Sequence, residues 1–418
     1  MKMRSRTGAL TILSLVVALA GVAPAQTFTT VLEFDYALGG FPEPTALLQG
    51  SDGEFYGTTF AGGVQHIGTV FKVTSTGTLT SLDGFQGPSN AHPTGGLVLG
   101  TDGDFYGTTS GFGFLKPNQQ VYFSAGTIFK ITPAGIFTTL YTFCNKTSCA
   151  DGSEPHSALI QTSNGNFYGT TTLGGANTYG TVFEMTPGGK LTTIYSFCAQ
   201  AGCADGARPF GSLILAANGN FYGTTYQGGA NGGGTVFELT PAGVLTTLCN
   251  FGGSTGRNPY AGLAQGSDGN FYGTTYGGGA KGSGTVFRVT PQGTLTTLYS
   301  FSGVDGANPY AGLVQASDGN FYGATLNGGS RGHGALFEIT TLGEYTKLYD
   351  FCSEANCADG AAPRGGLVEG SDGNLYGTTQ NGGMKVNCPT CGTQGEGTVF
   401  SVSLGLAPGL NVFPFAGK

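Results

Sequence analysis

The sequence predicts an all-β fold: a seven-bladed β-propeller of four-stranded antiparallel blades, closed by an N-terminal strand that joins the last blade. Three observations predict it. One unit recurs seven times, each unit holds four short runs rich in β-branched and aromatic residues, and the two chain ends hold complementary parts of a single unit.

The repeat is marked by "FYGTT" starting at Phe55, Phe105, Phe167, Phe221 and Phe271, then "FYGAT" from Phe321 and "LYGTT" from Leu375, with spacings of 50, 62, 54, 50, 50 and 54 residues. A period of that length points to solenoids, arrays or propellers. No stretch of the unit shows apolar residues three and four apart, so helical repeats are excluded. In the unit that begins at Tyr260, "YAGLAQGS" reads as a first strand and Asp268-Gly269 as a tight hairpin turn. "NFYGTTY" and "GTVFRVT" are the second and third strands, joined by a loop of small residues. The turn "PQG" from Pro291 then leads into "TLTTLYSF" as the fourth. "TVF" and "FYG" are apolar or small on both faces, as strands packed between neighbouring blades require.

The ends predict closure. "TFTTVLEF" (Thr27 to Phe34) has the fourth-strand pattern but precedes any first strand, while the last unit has "GLVEGSDG", "NLYGTT" and "GTVFSVS" without a clear fourth. A join between them removes the free sheet edge. A rival donor is "LNVFPF" near the C-terminus.

Residues 1–25 read as a signal peptide: Lys2, Arg4 and Arg6 precede the apolar run "GALTILSLVVALAGVA", and "APA" ends at Ala25. The domain boundaries expected are then 1–25 signal, 26–403 propeller and 404–418 tail, with a secreted or cell-envelope product and no membrane insertion after cleavage. The chain carries a net charge of −7 with 10% charged residues and no basic run. Nucleic acid is therefore not an expected partner, since phosphate binding needs clustered Lys and Arg.

The unit "DGNFYGTT…GTVF.VTP.G.LTTLYSF" resembles the GloVer tandem repeat of exported bacterial proteins, from about Thr27 to Ser403. The resemblance implies export and a C-terminal sorting or anchoring segment, yet "APGLNVFPFAGK" has no apolar tail to serve as one. A looser similarity is to streptogramin-lyase-like propellers, which share the "DGN-aromatic" and "TP-x-G" turns. The His and Glu constellation which that resemblance would carry is not recognisable here.

Of nine cysteines, Cys144 and Cys149, Cys198 and Cys203, and Cys352 and Cys357 occupy the same place in three units. In an exported protein these pairs, with Cys388 and Cys391 of "CPTCG", are expected to be local disulfides. The alternative is zinc held by Cys352, Cys357, Cys388 and Cys391. Cys249 replaces a tyrosine of the neighbouring units and is expected to be a buried free thiol.

In a propeller the loop between blades and the loop between second and third strands share one face. That face carries the length variation: the cysteine pairs, "CPTC", and "GFGFLKPNQQVYFSAG" from Gly111 to Gly126. It also holds His66, His92, His156 and His333. Variable loops on a rigid scaffold are where binding concentrates. The position after the loop proline reads Thr45, Thr94, His156, Phe210, Tyr260, Tyr310 and Arg364 around the ring. From these, His156, Phe210, Tyr260, Tyr310 and Arg364 are the candidate binding residues, with simple gap-filling between blades as the competing role. Asp151, Asp205, Asp305 and Asp359 precede that proline by four residues and could ring a Ca²⁺, although Asp-Gly is also ordinary turn chemistry. The hairpin acids Asp52, Asp102, Asp268, Asp318 and Asp372 are read as turns. No phosphate loop, dinucleotide fingerprint or G-x-S-x-G elbow occurs. The expectation is a monomeric exported binding or surface-scaffold module for glycan or extracellular protein, without a cofactor. The alternative is a secreted lyase or hydrolase acting through His156 at the channel mouth.

Overall fold

The computed structural model describes residues 26–42, 46–85, 91–111, 125–383 and 395–405. It contains seven antiparallel sheets arranged as the repeat predicts. Blade 1 holds Leu48–Gln49, Phe55–Ala61, Thr69–Val73 and Leu79–Gly84, with Gly40–Pro42 added beside the second strand. The second strands of blades 2 to 7 are Phe105–Thr109, Phe167–Thr171, Phe221–Thr225, Phe271–Thr275, Phe321–Thr325 and Asn374–Thr379.

Thr27–Glu33 closes the ring. It pairs antiparallel with Thr398–Ser403, from Thr27 opposite Ser403 to Glu33 opposite Thr398. The pairing has a bulge between Thr30 and Leu32, as the third and fourth strands of blade 5 do between Val286 and Phe287. The N-terminal segment thus reproduces the full geometry of a fourth strand. The rival segment "LNVFPF" lies outside the described residues, as do the signal peptide and most of the tail.

Each letter of "FYGTT" has a packing reason. Adjacent residues on a strand face opposite sides of the sheet, so the Phe meets the preceding blade and the Tyr the following one. Tyr222 stacks on Phe271 with centroids 4.3 Å apart and Tyr272 on Phe321 at 4.1 Å. Leu375 takes the Phe place where blade 6 meets blade 7, in one core cluster with Tyr322. A Cβ on Gly273 would stand 2.6 Å from Phe287 Cζ, so no larger residue fits under that ring. In blades 2 to 5 the first Thr latches the next blade, as Thr224 Oγ1 does by donating to Ala261 O at 2.8 Å and Thr274 Oγ1 to Ala311 O at 2.9 Å. The second Thr is hydrogen-bonded to the Thr of the third strand, as Thr275 is to Thr285 at 2.8 Å.

One element is shorter than expected. The innermost strand of blade 5 pairs only over Ala264–Gln265, not along all of "YAGLAQGS". The Tyr260–Gly262 segment lies outside that pairing, and its Ala261 carbonyl accepts from Thr224 of the neighbouring blade. The loops after the fourth strands interlock with the second-to-third-strand loops of the next blade, through Gly175 N–H to Cys149 O and Gly229 N–H to Cys203 O, both 2.9 Å. The two loop classes therefore share one face.

Candidate functional site at the axial mouth

Every blade delivers its chain to the axis through a dipeptide ending in proline. The residue before that proline is left-handed in all seven: Phe41, His92, Glu154, Arg208, Asn258, Asn308 and Ala362, with φ between 53° and 58°. This conformation is costly for residues other than glycine and persists only where the surroundings enforce it. Here they do. Asn258 donates its N–H to Gly233 O at 2.7 Å, accepts from Tyr276 N–H at 3.1 Å, and its side chain donates to Tyr226 O at 2.9 Å. The residue after the proline is thereby aimed at the mouth by a rigid frame.

In blade 1 the ring proline is Pro42. It follows left-handed Phe41 and lies against Gly397 as Pro309 lies against Gly284. Counting from Pro44 therefore shifts the register, and Thr45 is not the equivalent of Tyr260. Residues 43–45 lie outside the described residues.

The remaining rim residues, Thr94, His156, Phe210, Tyr260, Tyr310 and Arg364, all line one axial cavity of about 580 Å³. Five of them form an unbroken arc. His156 and Phe210 have ring centroids 5.3 Å apart, Phe210 and Tyr260 5.0 Å, and Tyr260 and Tyr310 stack at 4.4 Å. The Arg364 guanidinium carbon lies over the Tyr310 ring, 4.9 Å from its centroid. Tyr226 and Tyr276 brace Tyr260 from behind at 4.6 and 5.4 Å. Burial and the neighbouring tyrosines raise the Tyr260 hydroxyl well above the ordinary phenol range. It is therefore a neutral hydrogen-bonding group throughout the physiological range.

Sequence reasoning missed Phe60 and Gln380, which line the cavity, and the bracing tyrosines. All four sit at the residue directly after "FYGTT". Their variability at that register was the available signal.

His156 Nε2 stands 3.9 Å from Glu154 Oε2, outside hydrogen-bond reach. His92 is fully buried, with Nδ1 2.8 Å from Phe60 O, and burial lowers its pKa. The Asp-Gly acids are engaged locally. Buried Asp205 accepts from the Tyr195 hydroxyl at 2.8 Å and from Ala199 and Gln200 N–H at 2.9 and 3.1 Å. Asp151 and Asp359 repeat the arrangement with Tyr141 and Tyr349, and Asp305 with Tyr299 at 2.6 Å. Where blade 4 has Cys249 for the Tyr, Thr255 stands in the acid's place and bonds its own loop at Gly252. The carboxylates thus tie their loops to the fourth strands.

Cys144–Cys149, Cys198–Cys203 and Cys352–Cys357 are disulfides, and Cys249 is a buried free thiol whose pKa burial pushes up to about 12. The Cys352–Cys357 bond engages two of the four thiolates that the zinc alternative requires. Cys388 and Cys391 lie outside the described residues. His333 is the nearby nitrogen donor, its ligating atom within 4.8 Å of both sulfurs, so metal could bind there only after reduction. Among the described residues no helix is long and apolar enough to cross a membrane.

Three comparisons place the chain among known proteins. A model of the Gloeobacter/Verrucomicrobia repeat matches residues 18–149, 118–316 and 246–406. No curated protein matches the sequence. Among solved structures, the extracellular domain assigned to a hybrid two-component system of B. thetaiotaomicron is similar at TM-score 0.57 and 11% identity. That match covers 90% of this chain and 39% of the other, so this chain spans about two fifths of its length. The PQQ-bound aldose sugar dehydrogenase of Streptomyces coelicolor aligns at TM-score 0.40 and 15% identity, over 91% of this chain and 99% of that one. These likenesses concern the fold alone.

Proposed function

We propose, from the premise that this chain belongs to the Gloeobacter/Verrucomicrobia repeat family, that it is an exported binding module holding an extracellular glycan in its axial mouth. The arc His156–Phe210–Tyr260–Tyr310–Arg364 around a cavity of about 580 Å³ carries this reading. The volume lies within the usual range for small-ligand sites, and the lining has the expected form, apolar and aromatic with a few convergent polar groups. Sugar rings present apolar C–H faces and polar edges. Tyr260 and Tyr310 offer apolar ring edges and hydroxyls, while Gln380 adds an amide at the mouth. Three disulfides support an oxidising compartment, in keeping with residues 1–25 as an export signal. The His156–Glu154 separation of 3.9 Å gives a lyase or hydrolase no poised base, so binding is favoured over turnover.

Glycan-array screening of the mature protein, followed by calorimetry, tests this. Tyr260→Ala and Tyr310→Ala are each expected to weaken glycan affinity about tenfold or more. An array silent towards glycans, with an extracellular protein captured at the same mouth instead, would overturn it.

A further inference from the structure

We infer that the glycan held at this mouth is acidic, with a carboxylate received by Arg364. The inference rests on the glycan reading above and adds the ligand's charge. Among the described residues lining the cavity, Arg364 is the sole formally charged side chain; the residue after Pro42, Glu43, lies outside the described residues. None of the ion pairs among the described residues involves Arg364. Its Nε is buried and has no hydrogen-bond partner. Arg208 and Arg288 share that feature but do not line the cavity. The guanidinium lies over the Tyr310 ring, which engages its π face. Its N–H donors lie in the guanidinium plane. Arginine's fixed fork of donors matches the two oxygens of a carboxylate, a pairing stronger than a neutral hydrogen bond.

The placement is unusual for this chain. Acidic residues outnumber basic ones, 24 to 17, so a cation at the axis runs against the overall composition. The ring edges and hydroxyls of the stacked Tyr260 and Tyr310 would meet the sugar while Arg364, next around the rim, takes its carboxylate. A saccharide built of uronic acids satisfies both groups at once.

The test is a titration of the mature protein with uronate oligosaccharides (galacturonan, glucuronan and alginate fragments) and with their carboxyl-reduced counterparts of equal length. Wild type is expected to prefer an acidic oligosaccharide over its reduced form about tenfold or more, and Arg364→Gln to abolish that preference while still binding the neutral form. Arg364→Lys should keep part of the preference, because it retains charge without the fork. Thermal melts of both variants check that the fold is intact. Equal binding of acidic and reduced forms overturns the inference and leaves the glycan reading standing. An acidic preference that survives in Arg364→Gln also overturns it, by placing the recognising charge elsewhere. Binding of neither form overturns the inference, and the glycan array then decides the glycan reading separately.

Discussion

Within each blade, "FYGTT" is nearly unchanged from unit to unit, while the next residue takes six identities in seven units: Phe60, Ser110, Thr172, Tyr226, Tyr276, Leu326 and Gln380. The residues after the ring prolines vary as freely. One peptide bond separates the two regimes. Inside the motif the side chains are buried between neighbours: Phe on one blade, Tyr on the other, glycine under a ring, and the second threonine on the third strand. Beyond it the side chains meet the neighbouring blade in different ways: Tyr226 packs on Tyr260, Thr172 donates to Pro209 O, and Phe60 and Gln380 line the mouth. Uniformity here records packing shared by the blades, and variety records contacts that differ between them.

That contrast can be broken in graded steps. The largest effect is expected from deleting residues 26–34. Blade 7 then loses its outer strand and the ring its closure, so cooperative thermal unfolding seen by far-UV circular dichroism should disappear and the product should aggregate. Retention of a sharp transition would contradict ring closure as a source of stability.

Asp205→Ala should cost about 1.5–3 kcal/mol in denaturant unfolding, because it strands the Tyr195 hydroxyl and two loop N–H groups. Gly273→Ala should follow at about 1–3 kcal/mol, since the new methyl meets Phe287 at 2.6 Å. A neutral result for the glycine variant would show that the ring can move aside.

A smaller effect is expected from pH. Burial alone would raise the Asp268 carboxyl, but bonds from the Asn270 side chain and the Tyr272 hydroxyl outweigh it and hold the pKa below the ordinary value. A group depressed on folding contributes stability above its unfolded pKa and loses it as pH falls through the folded one. Melting temperature should therefore drop between about pH 4 and pH 2, and Asp268→Asn should make that drop shallower. Smallest of all, Gln380→Ala at the mouth should change stability by no more than about 0.5 kcal/mol, as measured by the same unfolding curves.

Much of the site was legible in the sequence. His156, Phe210, Tyr260, Tyr310 and Arg364 were found by counting from a proline, and the structure gathers all five around one cavity. The same count went astray in blade 1, where "FPEP" offers two prolines and only left-handed Phe41 identifies Pro42 as the ring member. Phe60 and Gln380 went unnoticed because strand periodicity says which face a residue takes but not how near the axis its strand ends.

What the sequence by itself determined is local and repeated: seven blades, four strands in each, the turn chemistry between them, and the short spacings that pair Cys144 with Cys149, Cys198 with Cys203 and Cys352 with Cys357 as expected disulfides. These follow from period-two patterning, turn residues and short spacings, which act within a few tens of residues. Only the tertiary structure decided that Tyr260 stacks on Tyr310 beneath a guanidinium, that threonines latch one blade to the next, and that the inner strands shrink to two paired residues. Those contacts join residues from different blades. Their distances are set by how seven twisted sheets share one axis, a quantity that no single unit of the chain contains.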